Sequence, residues 1–186
     1  WLWLAAKKDL KSVGDGNPGA FNLWSAAGFK YGIAGIFLDF LKGYLPLVFL
    51  IETGSIRGYW VLPAAIAPIL GHAFSPFLKF KGGKAIAVTF GVWSAVTRFE
   101  SSQAYAVILA VLLLLSRVIN RGKPTSSDAD GFQVVFGFLL LLLYLVWRSS
   151  PSPILWLWLA NFMVLAYTNR NKLSAFTKKL FAGHPP

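Results

Sequence analysis

Six apolar stretches, at residues 31–51, 59–74, 85–99, 104–119, 132–147 and 154–167, are separated by short polar loops and leave this chain few ways to fold. In hydrocarbon every backbone N–H and C=O must be satisfied within the chain, and continuous apolar segments manage this as helices packed into a bundle. Several of the stretches are shorter than the roughly 20 residues a span usually needs, which is tolerable for helices shielded inside a bundle. The strongest are 104–119 and 132–147, with unbroken leucines at 112–115 and 139–143. The weakest are 59–74, interrupted by Pro63 and Pro68, and 85–99. Trp60, Trp93, Tyr105, Trp147, Trp156 and Tyr167 fall near span ends, where interfacial aromatics sit.

Composition supports a lipid environment. Of 186 residues, 56% are hydrophobic and 13% charged, against about 25% charged in soluble domains. The expected fold is therefore all-α: a polytopic membrane helix bundle forming one domain over residues 1–186. Residues 1–6, an apolar stub ending at Lys7 and Lys8, read as the remnant of a seventh helix.

The net charge of +11 is not spread evenly. Lys7, Lys8, Lys11 and Lys30, then Lys79, Lys81 and Lys84, then Arg117, Arg121 and Lys123, then Arg170, Lys172, Lys178 and Lys179 occupy alternate loops. The loops between carry only Arg57, Arg98 and Arg148. The positive-inside rule makes the richer loops cytoplasmic, with the C-terminus inside. This sidedness, and anionic lipid headgroups as partners, account for the basic charge without nucleic acid. Cysteine is absent, which excludes disulfides and thiolate metal sites, and His72 and His184 have no ligand-like spacing, so no metal is expected.

Two loops of unusual composition share the cytoplasmic side. In residues 11–22, Gly14, Gly16 and Gly19 let the backbone approach a ligand, and Asp15, Asn17 and Asn22 supply polar groups. A tight interhelical turn favours the same residues. In residues 80–84, Gly82-Gly83-Lys84 stands just before an apolar helix, where amides, helix dipole and ammonium together suit a phosphate. It lacks the Walker spacing, and a turn with cytoplasmic lysines is the other reading. The segment 169–172 falls on this side too. Asp39 and Lys42 lie on one face of the first full span, as an ion pair or as part of a functional site. His72, at a span end, reads as a hydrogen-bonded helix-end residue or a catalyst. Residues 124–131 read as a polar linker.

These loops resemble the PlsY family, bacterial membrane acyltransferases that move an acyl chain from acyl phosphate to glycerol 3-phosphate. Residues 9–22 are similar to its first motif, and the run from Gly71 and His72 through Lys81, Gly82, Gly83 and Lys84 to its second; 28–30 and 38–43 match further positions. The resemblance implies seven helices in the bacterial inner membrane and phospholipid synthesis without a cofactor. It implies catalytic roles for Asp15, Asn17 and Asn171. It implies substrate-binding roles for Lys11, Gly16, Gly19, Asn22, Gly71, His72, Lys81, Gly82, Gly83 and Lys84. Gly82 and Gly83 would cradle the donor phosphate, and the glycerol 1-hydroxyl would attack the acyl carbonyl.

Several positions depart from that family. It usually carries Ser at Asp15, Arg at Lys11 and Ser25, Gly at Ala85, and His at Thr168. The chain's tail, Gly183-His184-Pro185-Pro186, also lacks the family's glutamate. A second reading follows from these departures: a non-catalytic paralogue that binds acyl phosphate or anionic lipid. A small transporter is a third, suggested by the charged pair within a span.

Overall fold

The structure, a computed structural model, describes residues 19–182. Its elements are α1 (Ala20–Ala27), α2 (Phe29–Glu52), α3 (Val61–Ala73), α4 (Ile86–Val96), α5 (Glu100–Ile119), α6 (Ser127–Trp147), α7 (Ser152–Thr168) and α8 (Arg170–Ala182). Short 3-10 turns at Gly58–Trp60 and Pro76–Leu78 flank α3. All six expected spans are present as helices α2 to α7. Among the described residues, four segments are long and apolar enough to cross a bilayer: Phe29–Glu52, Gly58–Leu78, Glu100–Ile119 and Ser127–Trp147; Ile86–Val96 and Ser152–Thr168 are shorter. The remnant of a seventh helix falls on residues 1–6, outside the described residues.

The four long helices face outward with apolar side chains. Phe49, Leu114 and Leu143 are each about two-thirds exposed. In water such surfaces would drive aggregation; in a bilayer they are the lipid contact.

The short helix α4 is the exception. At about 1.5 Å per residue its 11 residues reach only about 16 Å, roughly half a bilayer core. It is apolar on every side because protein surrounds it: Val88, Val92 and Trp93 are essentially inaccessible. Its closest partner is α2. A Cβ on Gly91 would stand 2.1 Å from the Phe40 carbonyl oxygen, and one on Gly43 would stand 2.6 Å from that of Val88. Both helices therefore need glycine where they cross, as membrane helices do when backbones touch.

A polar and aromatic core joins α4 to α5, α6 and α7. Trp93 Nε1 donates to Asn161 Oδ1 at 2.9 Å, and Asn161 Nδ2 donates to Thr89 Oγ1 at 3.1 Å. Trp93 and Tyr105 meet Phe138 edge-on, with centroids 5.7 and 5.2 Å apart. Tyr105 donates its hydroxyl to Val134 O. Trp93 and Tyr105 are thus core residues and not interfacial ones, which corrects the reading from their position near span ends. Trp60 and Trp147, about three-quarters exposed, do stand at helix ends.

One further correction concerns a helix start. Residues 127–131 are the first turn of α6 and not linker. Ser126 caps that turn by accepting from Ala129 N, and Asp128 and Asp130 sit where the helix dipole favours acids. The last segment, α8, lies along this turn. Phe176 stacks on Phe132 at 4.5 Å, and Lys179 pairs with Asp128 at 2.6 Å.

Candidate active site

Gly19, Asn22, Lys84, Ile86, Ser127, Asp130, Gly131, Val134, Asn169 and Lys172 line a cavity of about 180 Å³. These residues come from four places in the chain, and each place is the start of a helix. Gly19 precedes α1, Lys84 lies just before α4, Ser127 opens α6, and Asn169 precedes α8. The first N–H groups of a helix have no intrahelical acceptor, and the dipole concentrates positive charge there. Gly19 and Ala85, the residues ahead of α1 and α4, make no side-chain cap. Lys84 and Lys172 add two ammonium groups. Asp130 contributes the opposing charge, and its carboxylate accepts from Thr125 Oγ1. The arrangement suits a small polyanion carrying a hydroxyl or another donor.

The turn that delivers Lys84 is held by backbone contacts. Gly82 N donates to Ala73 O at 3.0 Å, and Gly83 N donates to His72 O at 3.2 Å, so this turn caps the end of α3. A Cβ on Gly82 would meet the His72 carbonyl oxygen at 1.9 Å, and one on Gly83 would meet His72 Nε2 at 2.1 Å. These glycines are there because His72 approaches them. Their amides serve α3, which corrects the phosphate-cradle role expected for Gly82 and Gly83; the residues of this segment that line the cavity are Lys84 and Ile86, at the start of α4. Beyond Lys84 the chain turns through Ala85, whose φ of 62° is left-handed. Thr168 Oγ1 donates to Lys84 O at 3.3 Å and joins the end of α7 to this turn.

His72 takes part in a separate ionic cluster. Lys42 Nζ lies 2.7 Å from Asp39 Oδ1 and 2.6 Å from His72 Nδ1. The helix-end reading of His72 fits this placement, and the cluster fixes the ring that packs over Gly83.

Of the residues singled out from sequence, Gly19, Asn22 and Lys84 line the cavity. Gly71 and Lys81 are exposed and His72 faces Lys42, so none of the three lines it. Asn171 is also exposed, because two residues along a helix turn a side chain through about 200°. Asn169 and Lys172 occupy the place expected for Asn171. Lys11, Asp15, Gly16 and Asn17 lie outside the described residues. Ser127, Asp130 and Gly131 were hidden by the linker reading; a serine followed by acids ahead of an apolar run was the available signal. Lys172 Nζ donates to Ser127 Oγ at 2.5 Å, and its aliphatic stem crosses Gly131, where a Cβ would come within 2.6 Å of it.

The fold and the cavity define an integral membrane protein of several spans whose polar chemistry is gathered at the helix starts on one end of the bundle. Comparison with known proteins makes this specific. The glycerol-3-phosphate acyltransferase family model matches residues 1–179. Glycerol-3-phosphate acyltransferase 1 of Thermotoga maritima is 41% identical, over 91% of this chain and 85% of its own length. The enzyme of Endomicrobium trichonymphae is 34% identical, over 93% of this chain and 86% of its own. The crystal structure of PlsY, an integral membrane glycerol 3-phosphate acyltransferase, in its glycerol 3-phosphate form, superposes with a TM-score of 0.80 at 26% identity, covering 96% of this chain and 84% of that one. Its lysophosphatidic acid form gives 0.78 at 27% identity, with 96% and 85% covered. The chain belongs to the glycerol-3-phosphate acyltransferase family and is a membrane acyltransferase.

Proposed function

We propose that the cavity is where an acyl group passes from acyl phosphate to glycerol 3-phosphate, giving lysophosphatidic acid. The observation that carries this reading is the convergence of four helix N-termini and two lysines on one small recess. Both substrates bear phosphate, and such a recess stabilises phosphate without a metal. A cavity of about 180 Å³ takes a polar headgroup and leaves a long acyl chain to the lipid outside.

The reaction balances within the two substrates. The glycerol 1-hydroxyl oxygen attacks the acyl carbonyl carbon and forms the ester bond. The bond between that carbon and the phosphate oxygen breaks, and the departing phosphate takes up the hydroxyl proton. What remains for the protein is orientation and charge stabilisation. Lys84 and the α4 N-terminus hold phosphate where negative charge builds as it leaves. Lys172 and the α1 N-terminus offer the second anion position.

The cavity end of the bundle carries the lysine-rich loops, which supports a cytoplasmic placement of the site and of the C-terminus in a bacterial inner membrane. The deciding experiment uses purified protein in liposomes with acyl phosphate and glycerol 3-phosphate. Phosphate release should match lysophosphatidic acid formed, and Lys84→Ala should lower kcat/KM by about a hundredfold, the scale of losing a charge-assisted contact. No release with the wild-type protein would refute the reading.

A further inference from the structure

Asn169 is 1% exposed and lines the cavity. Its Nδ2 donates to Leu165 O at 2.9 Å and to Thr168 Oγ1 at 3.4 Å. A carbonyl only accepts, so the amide cannot be turned the other way round: the nitrogen faces Leu165 and the oxygen faces away. That oxygen, Oδ1, is buried and has no hydrogen-bond partner among the described residues. Buried acceptors are rarely left unpaired, because the lost solvation is not returned.

The other polar groups of the cavity suit anions, apart from Asp130, whose carboxylate already accepts from Thr125 Oγ1. Lys84, Lys172 and the helix N-termini are donors or positive ends. Asn169 Oδ1 is neutral and only accepts, so it would repel a phosphate oxygen and attract an O–H. An amide oxygen is also too weak a base to take a proton. It therefore suits a hydroxyl that keeps its hydrogen through the reaction, and not the one that attacks. We propose that Asn169 Oδ1 accepts the hydrogen bond of the glycerol 2-hydroxyl, the one left unacylated, and so selects the acceptor and orients its 1-hydroxyl towards the donor. Asn169 acts as a specificity-determining residue on this view, which rests on the assignment of the cavity to glycerol 3-phosphate.

The test compares two acceptors that differ by that hydroxyl: glycerol 3-phosphate and 3-hydroxypropyl phosphate. Purified protein in liposomes is assayed with acyl phosphate and each acceptor. The wild-type protein should favour glycerol 3-phosphate in kcat/KM by about ten- to a hundredfold, the scale of one buried hydrogen bond with an orphaned partner. Asn169→Leu, which removes the acceptor, should bring the ratio to within about twofold of one. Asn169→Asp keeps an acceptor oxygen and should keep the preference, even as its charge weakens both substrates. A merely structural role for Asn169 would slow both acceptors alike and leave the ratio where it was. Equal use of both acceptors by the wild type, a ratio unchanged in Asn169→Leu, or one lost in Asn169→Asp would each overturn the inference. Where Asn169→Leu does not fold, the wild-type and Asn169→Asp ratios decide. Failure of the wild type to acylate either compound would instead remove the proposed function itself.

Discussion

Thr168 Oγ1 reaches across the base of the bundle to the carbonyl oxygen of Lys84, 3.3 Å away. One weak bond thus joins the end of α7, beside Asn169, to the turn that presents the cavity lysine. Thr168→Val keeps the shape and removes the donor. It should lower kcat/KM by about three- to tenfold while the melting temperature in detergent moves little, since one net hydrogen bond is worth about 1 kcal/mol. Unchanged kinetics would show that Lys84 is placed without it.

Lys172 depends on the bareness of Gly131. A Cβ there would stand 2.6 Å from Lys172 Cδ and 2.8 Å from its Cβ, so the side chain must shift. Gly131→Ala should raise the KM for glycerol 3-phosphate by about tenfold, as should Lys172→Met, which preserves the stem and removes the charge. Steady-state kinetics at two salt concentrations would check this: the wild type should lose affinity with salt, and Lys172→Met should lose less.

Ala85 offers a contrast between two kinds of alanine. Its left-handed φ of 62° costs about 1–2 kcal/mol, which Gly would recover. Its buried methyl is worth about 0.8 kcal/mol. The terms nearly cancel, so Ala85→Gly should leave thermal stability close to that of the wild type. Ala65 is equally buried but in the interior of α3, where Gly loses both packing and helix propensity. Ala65→Gly should cost about 2 kcal/mol. Equal losses at the two positions would contradict the strained turn.

At the crossing of α2 and α4, Gly91→Ala should be a severely damaging methyl addition. Its Cβ would meet backbone, the Phe40 carbonyl at 2.1 Å, which cannot move aside as a side chain can. A loss above about 3 kcal/mol, or no folded protein recovered from membranes, is expected. Gly71→Ala, whose Cβ would find open space, is the control and should fold normally.

The spans were legible because hydropathy is a local property, and even α4 shows as an apolar run. Its role as a wrapped half-helix was not, since that depends on which neighbours cover it. The site was legible by loop and not by atom. Lys84 and Asn22 could be picked out by their company of glycines. Yet a glycine that lets a ligand approach and one that lets His72 approach look identical in sequence, and Gly82 and Gly83 are of the second kind. Asn171 was favoured over Asn169 through the family resemblance; the break between α7 and α8 is a single residue, and that break, invisible in the sequence, sets which side chains face inward. Serine, aspartate and glycine at 126–131 fit a turn as well as a helix start, which hid Ser127 and Asp130.

The brevity of α4 has a consequence for the acyl phosphate donor proposed above. Val88 meets Gly43 near the middle of α2, so α4 begins about half-way along its neighbour. Acyl phosphates are activated, and water is the nucleophile that competes with any intended acceptor. On the proposed function, the head of α4 would bring the inner wall of the cavity below the other helix starts, with helix α2 beside it. A phosphate drawn to those helix starts would displace the water there. For the proposed donor, half a helix in place of a whole one would then act as a partition against hydrolysis.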